Sequence, residues 1–233
     1  MKKGLLVLVL AILVSTGAFA QMSAGAGLFF ANDFGGGGII SESIPPFGTL
    51  ELTMEMPNAG FGTFGFFDLT YAEVTIGFYS GKGDMTMRLK IPGVGEMSEK
   101  IGEISFTGVN FGLLGKYPIS VGNAVTLFPL LGIEYQRVVS GEIIEGGYTF
   151  RLSSKEAADF STLWFKAGAG MDYSLTDMMY LRFSFLYGLR LANKLEKELV
   201  EMFAEDFEDI PGVSVDTRLG HGLTIKAAIG FKF

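Results

Sequence analysis

Residues 179–191 read MYLRFSFLYGLRL. Leu181, Phe183, Phe185, Tyr187, Leu189 and Leu191 hold the odd positions, while Arg182, Ser184, Gly188 and Arg190 fall among the even ones. Successive side chains of a strand point to opposite faces, so the stretch makes a strand with one apolar face and one that carries two arginines. The apolar face suits lipid and the other suits the inside of a closed sheet, because a membrane admits only helices and closed barrels. Residues 163–173, LWFKAGAGMDY, repeat the pattern, with Leu163, Phe165, Ala167, Ala169 and Met171 against Lys166, Gly168, Gly170 and Asp172. Residues 222–233, GLTIKAAIGFKF, do so again, with Leu223, Ile225, Ala227, Ile229, Phe231 and Phe233 opposing Thr224, Lys226, Ala228, Gly230 and Lys232.

Working outward, five weaker segments alternate in the same way: 24–31, 61–71, 72–80, 106–117 and 125–139. Pro129 interrupts the last of them, and since proline removes a ladder donor a bulge or a pairing gap is expected there. The connections around Thr70–Ala72, Pro118–Ala124 and Ser174–Met178 are short. Those over Asn32–Gly60, Gly81–Ser105, Ser140–Ser161 and Ala192–Arg218 are long. Strict alternation of short and long connections predicts an all-β fold: an eight-stranded antiparallel transmembrane β-barrel with short periplasmic turns and long extracellular loops. Tyr71, Tyr117, Tyr173 and Tyr180 lie by the short turns, and Tyr79, Tyr135 and Tyr187 toward the other strand ends, which predicts two aromatic girdles. Tyr79 fits only if its strand is bulged, because parity places it inside.

The first twenty residues, MKKGLLVLVLAILVSTGAFA, run from basic to apolar to small, the order of a cleaved secretory signal peptide with cleavage before Gln21. The barrel domain is then 21–233. No later apolar stretch reaches the length of a membrane helix. The chain has 33 Gly, 22 Phe, one His and no Cys, and the missing Cys excludes disulfides, Cys-ligated zinc, a thiol nucleophile and a lipoprotein anchor.

Net charge is -7 over the chain. The first and last long connections carry -4 and -5, counted from the sequence. An acidic outer surface argues against nucleic acid or heparin as partners and leaves divalent cations or basic surfaces. By strand parity Asp68, Glu73, Lys116, Glu134, Lys166, Asp172, Arg182, Arg190, Lys226 and Lys232 face inward. An eight-stranded barrel is just wide enough for side chains to fill it, so these charges are expected to pair across the lumen.

Two amphipathic stretches in the long connections, TLELTMEM (49–56) and MTMRLKI (85–91), place Met54 and Met56, and Met85 and Met87, on apolar faces. Extending the hairpin that turns at 70–72 brings them together, with Glu55 opposite Arg88 if a bulge falls at 57–60. They could be plain strand extensions or a surface that docks a partner. Residues 193–208, NKLEKELVEMFAEDFE, predict a capped helix presenting Leu199 and Phe203, as a cap on the mouth, a lid, or a helix resting on the membrane surface. GGGG at 35–38 lacks the spacing of a phosphate cradle. Trp164 reads as a packing or interface residue.

With its strands, loops and terminal aromatic strand together, the chain resembles the small eight-stranded bacterial outer-membrane proteins of the OmpA, OmpX and OmpW type. The resemblance implies residence in the bacterial outer membrane, contact with outer-membrane lipid, and delivery by the barrel-assembly machinery, which would read Phe231 and Phe233. Some barrels of this size modify lipid A with a His followed two residues later by Ser; here Leu223 follows His221. No catalytic, cofactor or metal site is therefore expected. The expected role is a non-catalytic, closed envelope platform whose loops meet a host or envelope ligand. A narrow channel for small or hydrophobic molecules, as in the OmpW type, is the alternative.

Overall fold

The structure is a computed structural model that describes residues 22–34, 36–44, 48–191 and 213–233. The signal segment and the 193–208 stretch with Leu199 and Phe203 lie outside the described residues. The described chain forms strands β1 (Met22–Phe34), β2 (Gly37–Ile44), β3 (Gly48–Glu55), β4 (Asn58–Leu69), β5 (Ala72–Ile91), β6 (Gly95–Lys116) and β7 (Ile119–Val121). There follow β8 (Val125–Glu145), β9 (Tyr148–Arg151), a short helix α1 (Ser154–Asp159), β10 (Thr162–Ser174), β11 (Met179–Arg190), β12 (Val213–Arg218) and β13 (Gly220–Lys232).

Eight of these strands close a ring, every neighbour antiparallel: β1, β4, β5, β6, β8, β10, β11, β13 and back to β1. Register partners starting at Ala24 pass through Phe67, Val74, Leu113, Ile133, Phe165, Leu189 and His221 and arrive at Phe34. The trace closes ten residues from its start, and this stagger is what tilts the strands and sets the barrel's width. Parity is strict at the membrane: Phe183, Phe185, Tyr187 and Leu189 are exposed outside, while Arg182 is 1% exposed inside. An outward belt of Leu, Ile, Val and Phe around a closed ladder makes this a transmembrane barrel.

Several strands run further than the hydrophobic pattern does. β5 and β6 stay paired up to Ile91 and Gly95, and β8 continues to Glu145. Above the lipid both faces are wet, so alternation fades while the backbone ladder persists. β3 joins β5 where β4 leaves off, with Glu55 opposite Thr86 and Asn58 opposite Gly83. These pairs share one register, so the bulge expected at 57–60 is absent, and Arg88 sits opposite Thr53. β2 and β12 extend this sheet on one side, and β9 pairs with β8 on the other.

Pro129 sits at the expected pairing gap. On one side it faces Ala169 in register, and on the other β6 pairs as far as Leu130 while β7 begins at Leu127. Two tyrosines depart from the girdles. Tyr79 and Tyr180 both point into the barrel, Tyr180 donating to or accepting from Ser23 at 2.6 Å. No bulge falls beside Tyr79, so parity keeps it inside. Tyr180 is the inward partner of Arg182 in the same strand. Tyr71, Tyr117 and Tyr173 do face outward near the short turns, Tyr71 and Tyr117 stacked at 6.2 Å, and Tyr135 and Tyr187 face outward further up.

Candidate functional site: the filled lumen and the sheet above it

Arg182, on β11, is the hub of the lower lumen. Its guanidinium donates to both carboxylate oxygens of Asp172 on the adjacent β10 at 2.7 and 2.6 Å. It also reaches Asp68 on β4 at 2.6 Å and Glu73 on β5 at 2.5 Å. β5 lies four strands from β11 in either direction, so the Arg182–Glu73 pair spans the full diameter of the barrel. Lys116 on β6 joins through Asp68 at 2.5 Å. These are four hydrogen bonds to three carboxylates, one of them held bidentately, which is one more than the three N–H donors of a lysine could supply, so arginine fits here better than lysine. The rings of Phe66, Phe128 and Tyr180 lie 4.6, 5.1 and 5.2 Å from the guanidinium carbon and exclude water from it.

A second cluster sits nearer the end with the long connections. Glu134 on β8 accepts from Lys166 on β10 at 2.6 Å and from Lys226 on β13 at 3.3 Å. Lys166 also donates to Thr224 at 3.0 Å. Above it Arg190 approaches Asp33 at 3.3 Å, and Asn58 donates to Asp33 at 3.1 Å. Lys232, at the short-turn end, donates to Ser174 at 3.3 Å. The first cluster sums to one net negative charge and the second to one net positive charge, so together they leave the lumen close to neutral.

Much of the rest of the interior is apolar, with large aromatic rings that strand alternation does not mark. Phe29, Phe64, Phe66, Tyr79 and Tyr180 form one buried cluster, and Leu114, Phe128, Leu130 and Leu186 another. The signal that could have located them is the glycine content. A Cβ on Gly170 would run into the Phe128 ring, one on Gly230 into Tyr180, and one on Gly62 into Phe29. Each large inward ring thus lies over a neighbouring strand that has given up its side chain, the large-and-small pairing that fills a narrow barrel. Trp164, packed near Gly188 and Gly222, donates to Gln136 at 2.9 Å and is an interior residue too. Two small cavities lie toward opposite ends: about 40 Å³ bounded by Asp33, Tyr79, Gln136 and Arg190, and about 90 Å³ bounded by Ser23, Asp68, Lys116 and Lys232.

Outside the membrane belt, Glu55 and Arg88 form an ion pair at 3.2 Å across the β3–β5 ladder, diagonally rather than face to face. Met54 stands opposite Met87, and Met56 borders the upper pocket. Met85 is followed by a register shift, Ile101 being the extra residue in β6. The Met faces are half-buried, not displayed as an open apolar surface. Lys100 donates to Asp84 at 2.8 Å and Glu103 at 2.6 Å, and these hydrogen bonds hold its pKa above the usual lysine range. At α1, Ser153 and Glu156 make a reciprocal capping box that holds the Glu156 carboxyl below the usual range.

Phe231 and Phe233 are outward and exposed at the barrel's lower rim, Phe233 beside Phe67 at 6.4 Å. His221 lies on the outer wall between Phe34 and Tyr187, at 5.8 and 6.2 Å between ring centres. Among the described residues no group of three or more His, Asp or Glu is arranged to hold a metal ion.

The architecture is that of a small membrane β-barrel with many buried inward side chains. No protein-family profile matches the chain, and no curated protein sequence does either. Solved structures do match in outline. The outer membrane protein OprG from Pseudomonas aeruginosa is 12% identical with a TM-score of 0.41, covering 91% of this chain and 95% of that one. Neisserial surface protein A is 8% identical with a TM-score of 0.42, covering 91% and 97%. The outer membrane protease OmpT from Escherichia coli is 7% identical with a TM-score of 0.34, covering 92% and 97%.

Proposed function

We propose that the protein is a non-catalytic outer-membrane barrel of a bacterium with two membranes, closed inside and serving as a platform for the sheet and loops above it. The observation that carries this reading is the Arg182 network, which ties five of the eight wall strands together across the lumen, with the rings of Phe66 and Phe128 packed against its guanidinium. The basic, apolar and small order of residues 1–20 supports export, the outward Phe belt supports lipid contact, and Phe231 with Phe233 supports recognition by the barrel-assembly machinery. The sheet of β12, β2, β3 and upper β5, together with the 193–208 segment, is where a host or envelope ligand would bind. No nucleic-acid partner and no cofactor are assigned.

The test is to fold the protein into detergent, compare unboiled and boiled gel mobility, and record the same sample in planar bilayers. A heat-modifiable species without discrete conductance is the expected result. Discrete conductance steps would transfer the assignment to the narrow channel. Deleting 48–56 together with 85–92 should then abolish ligand binding while the heat-modifiable barrel persists.

A further inference from the structure

One sector of the outer wall combines an apolar groove with cations. The register row Leu28, Thr63, Phe78 and Val109 runs across four strands and ends on Arg137 of β8. The row above it runs Phe61, Ser80, Thr107 and Ser140. Between these rows β8 is bulged: Gly108 pairs with Val138 and Thr107 with Ser140, so Val139 is an extra residue, and both Val139 and Ser140 are exposed. The bulge pushes Val139 out as a rim, and with Leu28, Phe61, Phe78 and Val109 it borders a groove of about 720 Å³. A more polar depression of about 400 Å³ adjoins it, sharing Ser80 and Thr107 and bounded by Lys82, Ser140, Glu142 and Arg151.

Charge separates this sector from the rest of the belt. The outward positions of β10, β11 and β13 hold no lysine or arginine. Here Lys82, Arg137 and Arg151 all stand at the upper edge. Glu142 is engaged by Arg151 at 3.0 Å, and Asp84 and Glu103 are both engaged by Lys100. Among the described residues neither Lys82 nor Arg137 has an acidic partner. A cation on a lipid-facing wall is expensive unless an anion comes to it, and at this height the anions available are lipid phosphates.

We propose that this sector binds a phosphorylated, multiply acylated lipid of the outer leaflet. One acyl chain lies in the groove between Phe61, Phe78 and Val139. The phosphate takes hydrogen bonds from Ser80 or Ser140 and charge from Lys82 and Arg137, with Arg151 above it. Thr107 and Ser140, hydrogen-bonded to each other at 2.7 Å, are positioned to turn their hydroxyls to the same oxygens. The inference rests on the barrel spanning a membrane and is independent of whether its lumen conducts.

The test is native mass spectrometry of the folded, heat-modifiable protein titrated with diphosphoryl lipid A and, separately, with phosphatidylcholine. Preferential retention of lipid A is expected, with an at least tenfold loss in the Lys82→Gln/Arg137→Gln double variant and a comparable loss in Val139→Trp, which fills the groove. All three changes lie on the outside of the barrel, so gel mobility should be unchanged. Equal retention of both lipids, or a double variant within twofold of the parent, would overturn the proposal. Loss of heat-modifiable mobility in the parent would instead overturn the membrane barrel itself.

Discussion

Two ion pairs in this molecule are alike in chemistry and opposite in setting. Arg182 and Glu73 meet at 2.5 Å with both side chains 2% exposed, in a lumen walled by aromatic rings. Arg151 and Glu142 meet at 3.0 Å on the β8–β9 hairpin with side chains 86% and 43% exposed. Geometry alone would rank them together. Water separates them: an exposed pair is screened and is worth about 0–1 kcal/mol, whereas removing one member of a buried pair strands a charge and costs about 3–5 kcal/mol. The barrel's charges therefore lock the wall, while those of the outer sheet keep it soluble and set its surface potential.

The comparison can be broken first at its extreme. Arg182→Met leaves Asp68, Glu73 and Asp172 facing one another with only Lys116 to offset them, and should cost about 3–5 kcal/mol. The measurement is the urea unfolding midpoint of the barrel in lipid, followed by gel mobility. An unchanged midpoint would show that the lumen's charges are already hydrated and that burial does not rank these pairs. Glu134→Gln is the next step down. The amide still accepts a hydrogen bond but no longer balances Lys166 and Lys226, so a loss of about 1.5–3 kcal/mol is expected.

Glu55→Gln tests the middle of the scale. Glu55 is nearly buried but Arg88 is 46% exposed, and solvent screening should hold the loss to about 1 kcal/mol or less. Arg151→Gln should be within about 0.5 kcal/mol of the parent. If these two variants ranked in the reverse order, exposure would not be the variable that matters.

The same contrast explains what the sequence made legible. Arg182, Asp172 and Lys166 stand out because each interrupts a run of apolar neighbours at a spacing of two, and parity then assigns them inward without any knowledge of their partners. Partners are a different matter. That Arg182 meets Glu73 rather than Glu134 depends on the ten-residue stagger of the ring, a sum over eight strand pairings that no single segment encodes. The inward aromatics stayed hidden because Phe29, Phe64 and Phe128 occupy interior positions beside outward apolar residues, so alternation of polarity fails there. Glycine carried that information instead, one strand away. Above the membrane the ladder outruns the pattern, and the strands continue past Gly81 and Ser140 into the long connections.

The smallest effect lies farthest from the lumen, at the α1 cap. Glu156 is fully exposed, and its carboxylate accepts from the Ser153 backbone N–H at 2.7 Å while its own N–H donates to the Ser153 hydroxyl at 3.4 Å. The Ser153 hydrogen bonds lower its pKa in the folded chain, so what the cap contributes is fully present above the ordinary glutamate value of about 4.3 and is lost as pH falls through the lower folded value. Between pH 7 and 5 the Ser153 and Glu156 amide resonances should therefore not move, and below that they should shift together. Ser153→Ala should bring the Glu156 titration midpoint back up toward the ordinary range with the barrel's urea midpoint unchanged. A Glu156 that titrates at its ordinary value in the parent would mean the capping box is not formed in solution, and a barrel midpoint that followed it would mean the outer layer is coupled to the lumen after all.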